Sequence, residues 1–436
     1  MTSTPRAGSV CCAIDFGTSN AAVAVADPAS SSHLAQLVPL EGDHLTMPSA
    51  VFYDSEDRSR RYGRAAVAAY VEGHEGRLMR SLKSILGSAL INETTHLGDG
   101  ISLRYIDVIA GFLKQLKIAA ERHVGSVITR AVLGRPVYFV DDDPAADARA
   151  EEALRGAAHA VGFRDVSFQF EPIAAALDYE RRLHGERLVL VADIGGGTSD
   201  FTVIRLGGPH RADRADDVLA SHGVHVAGTD FDQRIDLDAI LPTVGFRSRT
   251  PEGREVPNRV YFDLATWHLI NGVYAPRRIA ELKSMGYFYA DPTLYRRLLR
   301  VIEGRLGHWL MGRAEEAKIA LSETPRIELD LGEVEDGLVA SFDRTALAAS
   351  LARALDAIVA AAIETVHRAG VGAKDIGALY FTGGSTGLGL LSDRLKSAFP
   401  EAEAVFGDRF SSVASGLGVA AVARFGGPAQ RSRAHG

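Results

Sequence analysis

LVLVADIGGGTSDFTVIRL, residues 188–206, is the stretch that decides the fold. An apolar run leads into an Asp, three glycines, a Thr and a Ser, and a second apolar run follows. This pattern is typical of a β-hairpin, because glycine supplies the backbone angles that a tight turn requires. Three consecutive glycines weaken a strand, and the close approach of a ligand to the backbone is a reason to tolerate them.

A second copy of this pattern stands near the start of the chain, as CCAIDFGTSNAAVAV at residues 11–25. Self-similarity of this kind indicates an internal repeat. The two copies therefore predict two related lobes, each built around a hairpin with a glycine turn.

Outside the two hairpins, strands alternate with helices. We predict strands at 49–54, 131–140 and 378–382, and helices at 145–160, 171–183, 344–369, 388–399 and 413–424. This alternation predicts an α/β fold. Residues 234–331 hold many Tyr and Arg residues and helical patches, so we predict a helical insertion there.

The composition is that of an ordinary globular protein. The 436 residues correspond to two or three domains of about 150 residues each. A net charge of -7 argues against a nucleic-acid surface, and no stretch approaches the roughly 20 apolar residues of a membrane span. The N-terminus has no signal-peptide pattern, which predicts a cytoplasmic protein. Two cysteines provide no four-ligand metal site, so we predict that Cys11 and Cys12 are core residues. Because they are adjacent in an apolar strand, their side chains should point to opposite faces.

Both glycine turns carry groups that suit a metal-bound phosphate. The backbone N–H groups of a tight turn can cradle phosphate oxygens, and Thr18 and Ser19 add hydroxyl donors in the first turn. Asp15 can reach a magnesium ion directly or through its waters, and Asp193 and Asp200 flank the second turn in the same way. Either turn alone would also fit an ordinary polar hairpin, but the pair predicts phosphate binding.

Two further glycine patterns match known motifs only in part. Residues 383–387 read Gly-Gly-Ser-Thr-Gly after a strand, which by letter also fits the nucleophile elbow of hydrolases. A hydrolase needs an acid and then a histidine later in the chain, and only His435 in the polar tail follows Ser385, so we reject that interpretation. The alternative is a glycine pair that lets a nucleoside lie against the backbone. Gly416-x-Gly418-x-x-Ala421 loosely matches a dinucleotide loop, but no strand precedes it and we predict helix packing.

Other polar residues have ordinary structural explanations when each is taken alone. Glu315, Lys318 and Ser322 recur at a spacing that puts them on one helix face, which also describes a solvated face. Lys83 would then be an exposed lysine, and Glu171 a first-turn acid favoured by the helix dipole, ahead of Pro172 at the first helical position.

In this order the motifs resemble the actin-like ATPase superfamily, and most closely the ATPase domain of the heat-shock 70 kDa (DnaK) chaperones. The resemblance runs from about Cys11 to Arg424 and is weakest between Arg234 and Leu331. The stretches that carry it are AIDFGTSN (13–20), MPSAVFYD (47–54), VLGRPVYFVDD (132–142), GFRDVSFQFEPIAAALDY (162–179), DIGGGTSDFTV (193–203), VAGTDFDQRI (226–235) and YFTGGSTGLGLL (380–391). Residues 266–283 and 307–323 are similar to the chaperone-like YegD branch.

The resemblance implies an actin-like fold of two duplicated ribonuclease-H-like lobes around a cleft that binds ATP or ADP with Mg²⁺. It implies a first lobe at 1–185, to which 405–425 returns, and a second lobe at 186–404 that includes the insertion; the polar tail 426–436 is predicted to be disordered. The implied catalytic residues are Lys83, Glu171, Asp193 and Thr198, and the implied metal residues are Asp15, Asp193 and Asp200. The implied nucleotide-binding residues are Gly17, Thr18, Ser19, Asn20, Gly195, Gly196, Gly197, Thr198, Gly228, Glu315, Lys318, Ser322, Gly383, Gly384 and Ser385.

The chain departs from the family pattern at two positions near the expected base. Gly387 stands where the chaperones have an arginine against adenine, and Phe410 stands near the ribose-side aspartate, with Asp408 two residues earlier. Base selectivity is therefore left open. The sequence also stops where the family's linker and peptide-binding domain would begin, so we expect neither peptide clamping of the usual type nor J-domain coupling through that linker.

These features predict a slow, magnesium-dependent ATP hydrolase of chaperone-like type, in which the nucleotide controls lobe closure. No membrane or nucleic-acid partner is expected, and the sequence does not identify a protein partner or client. A non-catalytic nucleotide-sensing scaffold and a small-molecule kinase on the same fold are the alternatives.

Overall fold

The computed structural model describes residues 10–29, 35–86, 88, 91, 93–96, 102–140, 143–208, 214–408 and 411–426. Among these described residues, the first part of the chain forms eleven strands and four α-helices. The strands are β1 (Cys11–Phe16), β2 (Asn20–Ala26), β3 (Ala35–Leu37), β4 (Thr46–Pro48), β5 (Ala50–Asp54), β6 (Arg60–Tyr62), β7 (Gly76–Arg80), β8 (Thr94–His96), β9 (Ser102–Arg104), β10 (Arg130–Arg135) and β11 (Asp165–Phe170). The helices are α1 (Gly63–Val71), α2 (Tyr105–Val124), α3 (Pro144–Ala160) and α4 (Glu171–Glu180).

The main sheet of this part has the order β3-β2-β1-β10-β11, with β4 also paired to β2. β1 and β2 are the antiparallel arms of the first predicted hairpin, with Asp15 opposite Ala22. β10 and β11 then add in parallel on the other side of β1. We call the part of the chain built on this sheet the first lobe.

The second part of the chain supplies the remaining elements. The strands are β12 (Arg187–Ile194), β13 (Ser199–Leu206), β14 (Val218–Val224), β15 (Arg326–Asp330), β16 (Val339–Asp343), β17 (Ala378–Thr382) and β18 (Glu403–Phe406). The helices are α5 (Gly228–Ile235), α6 (Arg259–Leu264), α7 (Ile270–Val273), α8 (Pro276–Lys283), α9 (Pro292–Glu303), α10 (Gly307–Glu323), α11 (Arg344–Arg368), α12 (Gly389–Ala398) and α13 (Ser412–Phe425).

The main sheet of the second part repeats the topology of the first. Its order is β14-β13-β12-β17-β18, with an antiparallel hairpin β12–β13 and two parallel strands beyond β12. We call the part of the chain built on this sheet the second lobe. The sequence repeat thus corresponds to a repeated sheet, and the fold is of the predicted α/β class.

Two helices, α4 and α13, fill the space between the sheets. α13 packs on α4 and on β1, β2 and β10, although it follows the second lobe in the chain. The apolar cluster around them contains residues of both sheets, including Val132 of β10 and Val191 of β12. Cys11 faces this cluster and Cys12 faces the opposite core of the first lobe, as predicted for adjacent strand residues. The base of the molecule is therefore one continuous apolar layer that both lobes share.

Each lobe has its own core on the outer side of its sheet. α2 and α3 cover the first sheet, while α5 and α11 cover the second. In the described residues α11 alone is long and apolar enough to cross a membrane, but its buried residues, such as Leu351 and Leu355, pack into the core of the second lobe. About one third of the most apolar stretch of α11 is buried in this way.

Two expected boundaries differ in detail. Residues 405 and 406 belong to β18 of the second sheet, so the return to the first lobe begins with α13. The expected insertion 234–331 is helical through α10 but ends in strand β15, which pairs with β16. Pro172 was expected at the first position of its helix, but α4 begins at Glu171 and Pro172 is the second residue. The division into domains stays an interpretation, and the predicted tail from residue 427 onward lies outside the described residues.

Candidate functional site

A cleft of about 1210 Å³ lies between the lobes, and residues of both lobes line it. Every site residue predicted from the sequence lines this cleft except Ser322. The lining includes Asp15, Gly17, Thr18, Ser19, Asn20, Lys83, Glu171, Asp193, Gly195, Gly196, Gly197, Thr198, Asp200, Gly228, Glu315, Lys318, Gly383, Gly384 and Ser385. The structure therefore brings together residues that lie far apart in the sequence.

The first glycine turn joins β1 to β2 and is fixed from one side. A Cβ atom on Gly17 would lie 2.3 Å from the carbonyl oxygen of Asn20, so no larger residue fits this turn. Ser49 is buried and holds the turn with two hydrogen bonds: its N–H donates to Ser19 O at 2.9 Å and its Oγ donates to Gly17 O at 2.6 Å. The conformation of the turn is thus fixed by residues of its own lobe.

The second glycine turn joins β12 to β13 and is fixed in a similar way. Ser385 Oγ donates to the carbonyl oxygen of Gly195 at 2.6 Å. The N–H groups of Gly228 and Thr229, at the start of α5, donate to Gly195 O at 3.2 Å and Gly196 O at 2.7 Å. These hydrogen bonds occupy the carbonyl oxygens of Gly195 and Gly196. The backbone N–H groups of the turn can then bind a ligand in the cleft.

The two turns face each other directly. A Cβ atom on Gly196 would lie 2.9 Å from Ser19 Oγ of the other lobe. Because Gly196 has no side chain, the two turns can approach this closely. A phosphate chain that entered between them would contact both lobes at once.

Lys83 lies in the cleft beside a group of carboxylates. Its Nζ is 2.5 Å from Glu171 Oε1, and both side chains are largely buried. Burial by itself would lower the pKa of Lys83, but the nearby carboxylates, led by Glu171 and Asp15, raise it. The lysine is therefore held as a cation. Gly134 of β10 makes room for Glu171, since a Cβ atom there would lie 3.0 Å from Glu171 Cγ.

Two of these carboxylates have strongly raised pKa values. Burial, followed by repulsion from Glu171, raises the pKa of Asp15 to about 8. Burial, followed by repulsion from Asp200, raises the pKa of Asp193 to about 7. One lysine does not balance this group of acids, so the cleft would gain from an additional positive charge.

Asp200 stands opposite Asp193 in the hairpin register, and Thr198 Oγ1 donates to Asp200 Oδ2 at 2.8 Å. Gly223 of the adjacent strand leaves space for it, because a Cβ atom there would lie 2.3 Å from Asp200 Oδ1. Within the described residues no three ligating side chains form a ready-made metal site. Mg²⁺ with a nucleotide does not require one, since it commonly uses one or two carboxylates, waters and the phosphates. The residues present therefore fit Mg²⁺ carried by a phosphate ligand.

The other end of the cleft is bounded by α10 and by the turn after β17. Lys318 Nζ lies 2.7 Å from Asp232 Oδ1, and both side chains are mostly buried. Burial raises the pKa of Asp232 to about 6, against the opposing effect of Lys318. Ser322 does not line the cleft, and its hydroxyl donates to Lys318 O at 3.1 Å, one turn back along the helix. The expected face of α10 therefore reaches the cleft only through Glu315 and Lys318.

Gly383 has a φ of +88°, and a Cβ atom there would lie 2.4 Å from Ile194 O. Only glycine fits this close crossing of the turn and the β12 strand. Gly387 ends the same turn and does not line the cleft. Phe410 lies outside the described residues.

Sequence reasoning missed three residues that shape this site. Ser49 holds the first turn, Asp232 pairs with Lys318, and Arg80 lines the cleft. Ser49 and Asp232 both lie in stretches that carry the family resemblance, and that signal could have found them. Arg80 has no such signal beyond its position three residues before Lys83.

Comparison with known proteins gives a consistent result. Residues 88–241 match a family model described as Hsp70 protein. The "Chaperone protein HscA homolog" of Pseudomonas fluorescens (strain SBW25) is 27% identical over 406 residues, which are 88% of this chain and 53% of that protein. The "Chaperone protein DnaK" of Thermosipho melanesiensis (strain DSM 12029 / CIP 104789 / BI429) is 33% identical over 227 residues, which are 51% of this chain and 34% of that protein. The chain thus spans about half the length of the HscA homolog and about one third of the length of DnaK.

Proposed function

We propose that this chain, an Hsp70-type member of the actin-like ATPases, binds ATP between its lobes and hydrolyses it slowly with Mg²⁺. The observation that carries the proposal is the meeting of the two glycine turns across the cleft, next to Lys83 and its carboxylates. A ligand with several linked phosphates would suit two facing glycine turns, because the backbone N–H groups of such turns can bind phosphate oxygens.

The chain's own groups would act mainly by positioning and by charge. Glu171 holds the ammonium of Lys83 in the cleft, where the cation would stabilise negative charge on the transferred phosphoryl group. Asp193 lies at the end of β12, close enough to Lys83 and Glu171 for their charges to affect its pKa, and would orient the attacking water. The turns would hold the phosphates still, which lowers the entropic part of the barrier.

Asp15, Asp193 and Asp200 are the residues that would hold the metal. Mg²⁺, when bound, would neutralise phosphate charge that the single lysine cannot balance. The raised pKa values of Asp15 and Asp193 support this assignment, because a cation nearby would return both acids to their ionised forms.

Nucleotide between the lobes would control their closure, and the output would be binding to a protein partner or client in the cytoplasm. The relatives named as chaperones support a chaperone-like role for this chain. A YegD-like branch assignment stays a prediction.

A nucleotide sensor without turnover is the second candidate. Lys318, expected to clamp the ribose or base, is already paired with Asp232, and Gly387 offers no side chain on the base side. A weaker hold on the base would favour binding that signals nucleotide state without efficient hydrolysis.

The test is phosphate release from Mg–ATP by wild type, Lys83→Ala and Asp193→Ala. Each variant should lose at least about 100-fold in turnover, the usual cost of removing one electrostatic contact to a transition state. The matched control is Lys396→Ala on helix α12, where Lys396 pairs with Asp393 and does not line the cleft. Its rate should remain within about twofold of wild type.

Calorimetry of ATP binding separates the two candidates. Binding with turnover that both variants abolish supports the ATPase, and binding with no turnover in wild type supports the sensor. Full activity in both variants would show that the site is misassigned, and no ATP binding by wild type would remove both functions.

A further inference from the structure

At one edge of the cleft, aromatic and cationic side chains of the two lobes meet. Tyr70 of α1 stacks on Trp267, which lies between α6 and α7, with ring centroids 5.0 Å apart. Tyr70 also meets His308 of α10 edge-on at 5.4 Å, and Trp267 meets His308 at 5.0 Å. Arg80 of β7 places its guanidinium 4.3 Å from the centre of the Trp267 ring. We call these four residues the cross-lobe clasp.

Polar contacts fix the geometry of the clasp. The side-chain amide of Asn271 donates to the carbonyl oxygen of Tyr70 at 3.3 Å, which joins the lobes a second time. His308 Nε2 lies 3.3 Å from Asn271 Oδ1, and this oxygen can only accept, so His308 carries its proton on Nε2. Burial and then Arg80 lower the pKa of His308 to about 4, which keeps the ring neutral. A neutral ring can pack closely against the two other aromatics.

The clasp is not simply part of the core of one lobe. Tyr70 and Arg80 belong to the outer segment of the first lobe, while Trp267 and His308 belong to the helical part of the second. Arg80, Trp267 and His308 also line the cleft that holds the proposed nucleotide site. Arg80 lies over the face of Trp267, and the charge of Glu315 on α10 also acts on it, because it opposes the lowering of the Arg80 pKa by burial.

Opening the cleft must break these contacts. The lobes share an apolar layer at their base, through α4 and α13, so movement there is restricted to bending. Separation at the clasp would expose three rings to water and remove the cation from the Trp267 face, both of which are unfavourable. The clasp therefore resists opening of the cleft.

We infer that the cross-lobe clasp sets the rate at which nucleotide leaves the cleft. This inference rests on the proposed nucleotide site but concerns release, not chemistry. Removal of clasp contacts should raise the dissociation rate, because contacts that must break before release act mainly on that rate.

The test uses a fluorescent ADP analogue displaced by excess ADP in a stopped-flow instrument. Trp267→Ala should release the analogue at least about tenfold faster than wild type. The matched control is Tyr287→Ala, an aromatic of the same helical region that is 72% exposed and outside the clasp. Equal release rates for Trp267→Ala and Tyr287→Ala would overturn the inference.

A double-mutant cycle guards against a general loss of stability. Tyr70→Ala and Trp267→Ala should each speed release, and the double variant should be no faster than the faster single variant, because both remove the same contact. Two independent, multiplying effects would contradict the clasp.

A fluorescence measurement tests the clasp without any nucleotide. The chain has two tryptophans, so Trp309→Phe leaves Trp267 as the reporter. In that background Tyr70→Ala should shift the Trp267 emission to the red and increase its quenching by acrylamide. Unchanged emission would contradict the clasp even if the ADP analogue did not bind, whereas failed analogue binding alone would count against the proposed function.

Discussion

At the scale of single residues, Asp236 is a buried acid whose charge no neighbouring group among the described residues neutralises. It is fully buried in the short π-helix Asp236–Ile240 that follows α5, and neither carboxylate oxygen has a hydrogen-bond partner among the described residues. Burial, and then the nearby charge of Asp232, raises the pKa of Asp236 well above its usual value. An acid of this kind is protonated in the folded chain at pH values where it is ionised in the unfolded chain.

This difference makes stability depend on pH in a definite direction. The folded state binds the extra proton, so the free energy of unfolding falls as pH rises above the unfolded-state pKa of roughly 4 and continues to fall until the folded-state pKa is reached. Asp236→Asn removes the titrating group. We expect the melting temperature of this variant, relative to wild type, to increase between pH 5 and pH 8 in thermal melts.

A neighbouring acid on the same π-helix provides the control. Asp238 is paired with Arg247 at 3.0 Å and accepts from Ser350 Oγ at 2.5 Å. Asp238→Asn should therefore lower the melting temperature without the rise toward pH 8. A destabilisation of Asp236→Asn that is the same at pH 5 and pH 8 would show that Asp236 has partners in solution.

The sequence was most informative about single residues where a motif fixed the backbone, although the roles of these residues stay predictions. The glycines and aspartates of both turns lie in the cleft because each hairpin determines its own geometry. Ser322 does not line the cleft, and the sequence could not show this because helical spacing defines a face but not how far along the helix the cleft extends. The Lys318–Asp232 pair was missed because it joins two helices, α10 and α5, whose contact no local pattern reveals.

At the scale of elements, the packing of α13 on α4 depends on one glycine. A Cβ atom on Gly416 would lie 1.8 Å from the carbonyl oxygen of Ala174, and a backbone atom cannot yield as a side chain can. Gly416→Ala should therefore destabilise the chain by about 1–3 kcal/mol, in spite of the better helix propensity of alanine. Chemical denaturation measures this directly.

The comparison is Gly156→Ala in α3, where a new Cβ atom would meet nothing within 4 Å. This exposed helical glycine should give about 0.5–1 kcal/mol of added stability when replaced. If the two alanine variants were equally stable, the close helix contact would not exist in solution. The same contact explains why Gly416-x-Gly418 is a packing pattern and not a dinucleotide loop, as the sequence predicted.

The helices and strands that the sequence predicts most accurately are those with a regular hydrophobic pattern and clear end residues. The strand predicted at 378–382 and the helix at 344–369 match β17 and α11 almost to the residue, because each has a regular pattern and clear ends. Between residues 234 and 331 the short helices α6 and α7 have no side-chain caps and are held by the core of the second lobe. Their bounds depend on tertiary packing, which the sequence pattern does not show.

At the scale of the whole molecule, the duplication could be predicted from the sequence because both hairpins contain the same motif. The repeat in the rest of each sheet could not be predicted from the sequence, because no common sequence pattern links β10 and β11 to β17 and β18. The two lobes are joined by the shared apolar layer around α4 and α13 and by the cross-lobe clasp. Unfolding of one lobe would therefore expose part of the other.

This arrangement predicts that the chain unfolds in a single transition and that Mg–ATP shifts the whole transition. A ligand at 100 times its dissociation constant adds about 2.7 kcal/mol, which corresponds to a rise of several degrees in melting temperature. Asp193→Ala should abolish the shift because it removes a residue proposed to hold the metal, while Lys396→Ala should keep it. Calorimetry would contradict this view of the molecule if it resolved two transitions of which Mg–ATP moved only one, because the ligand would then contact a single lobe.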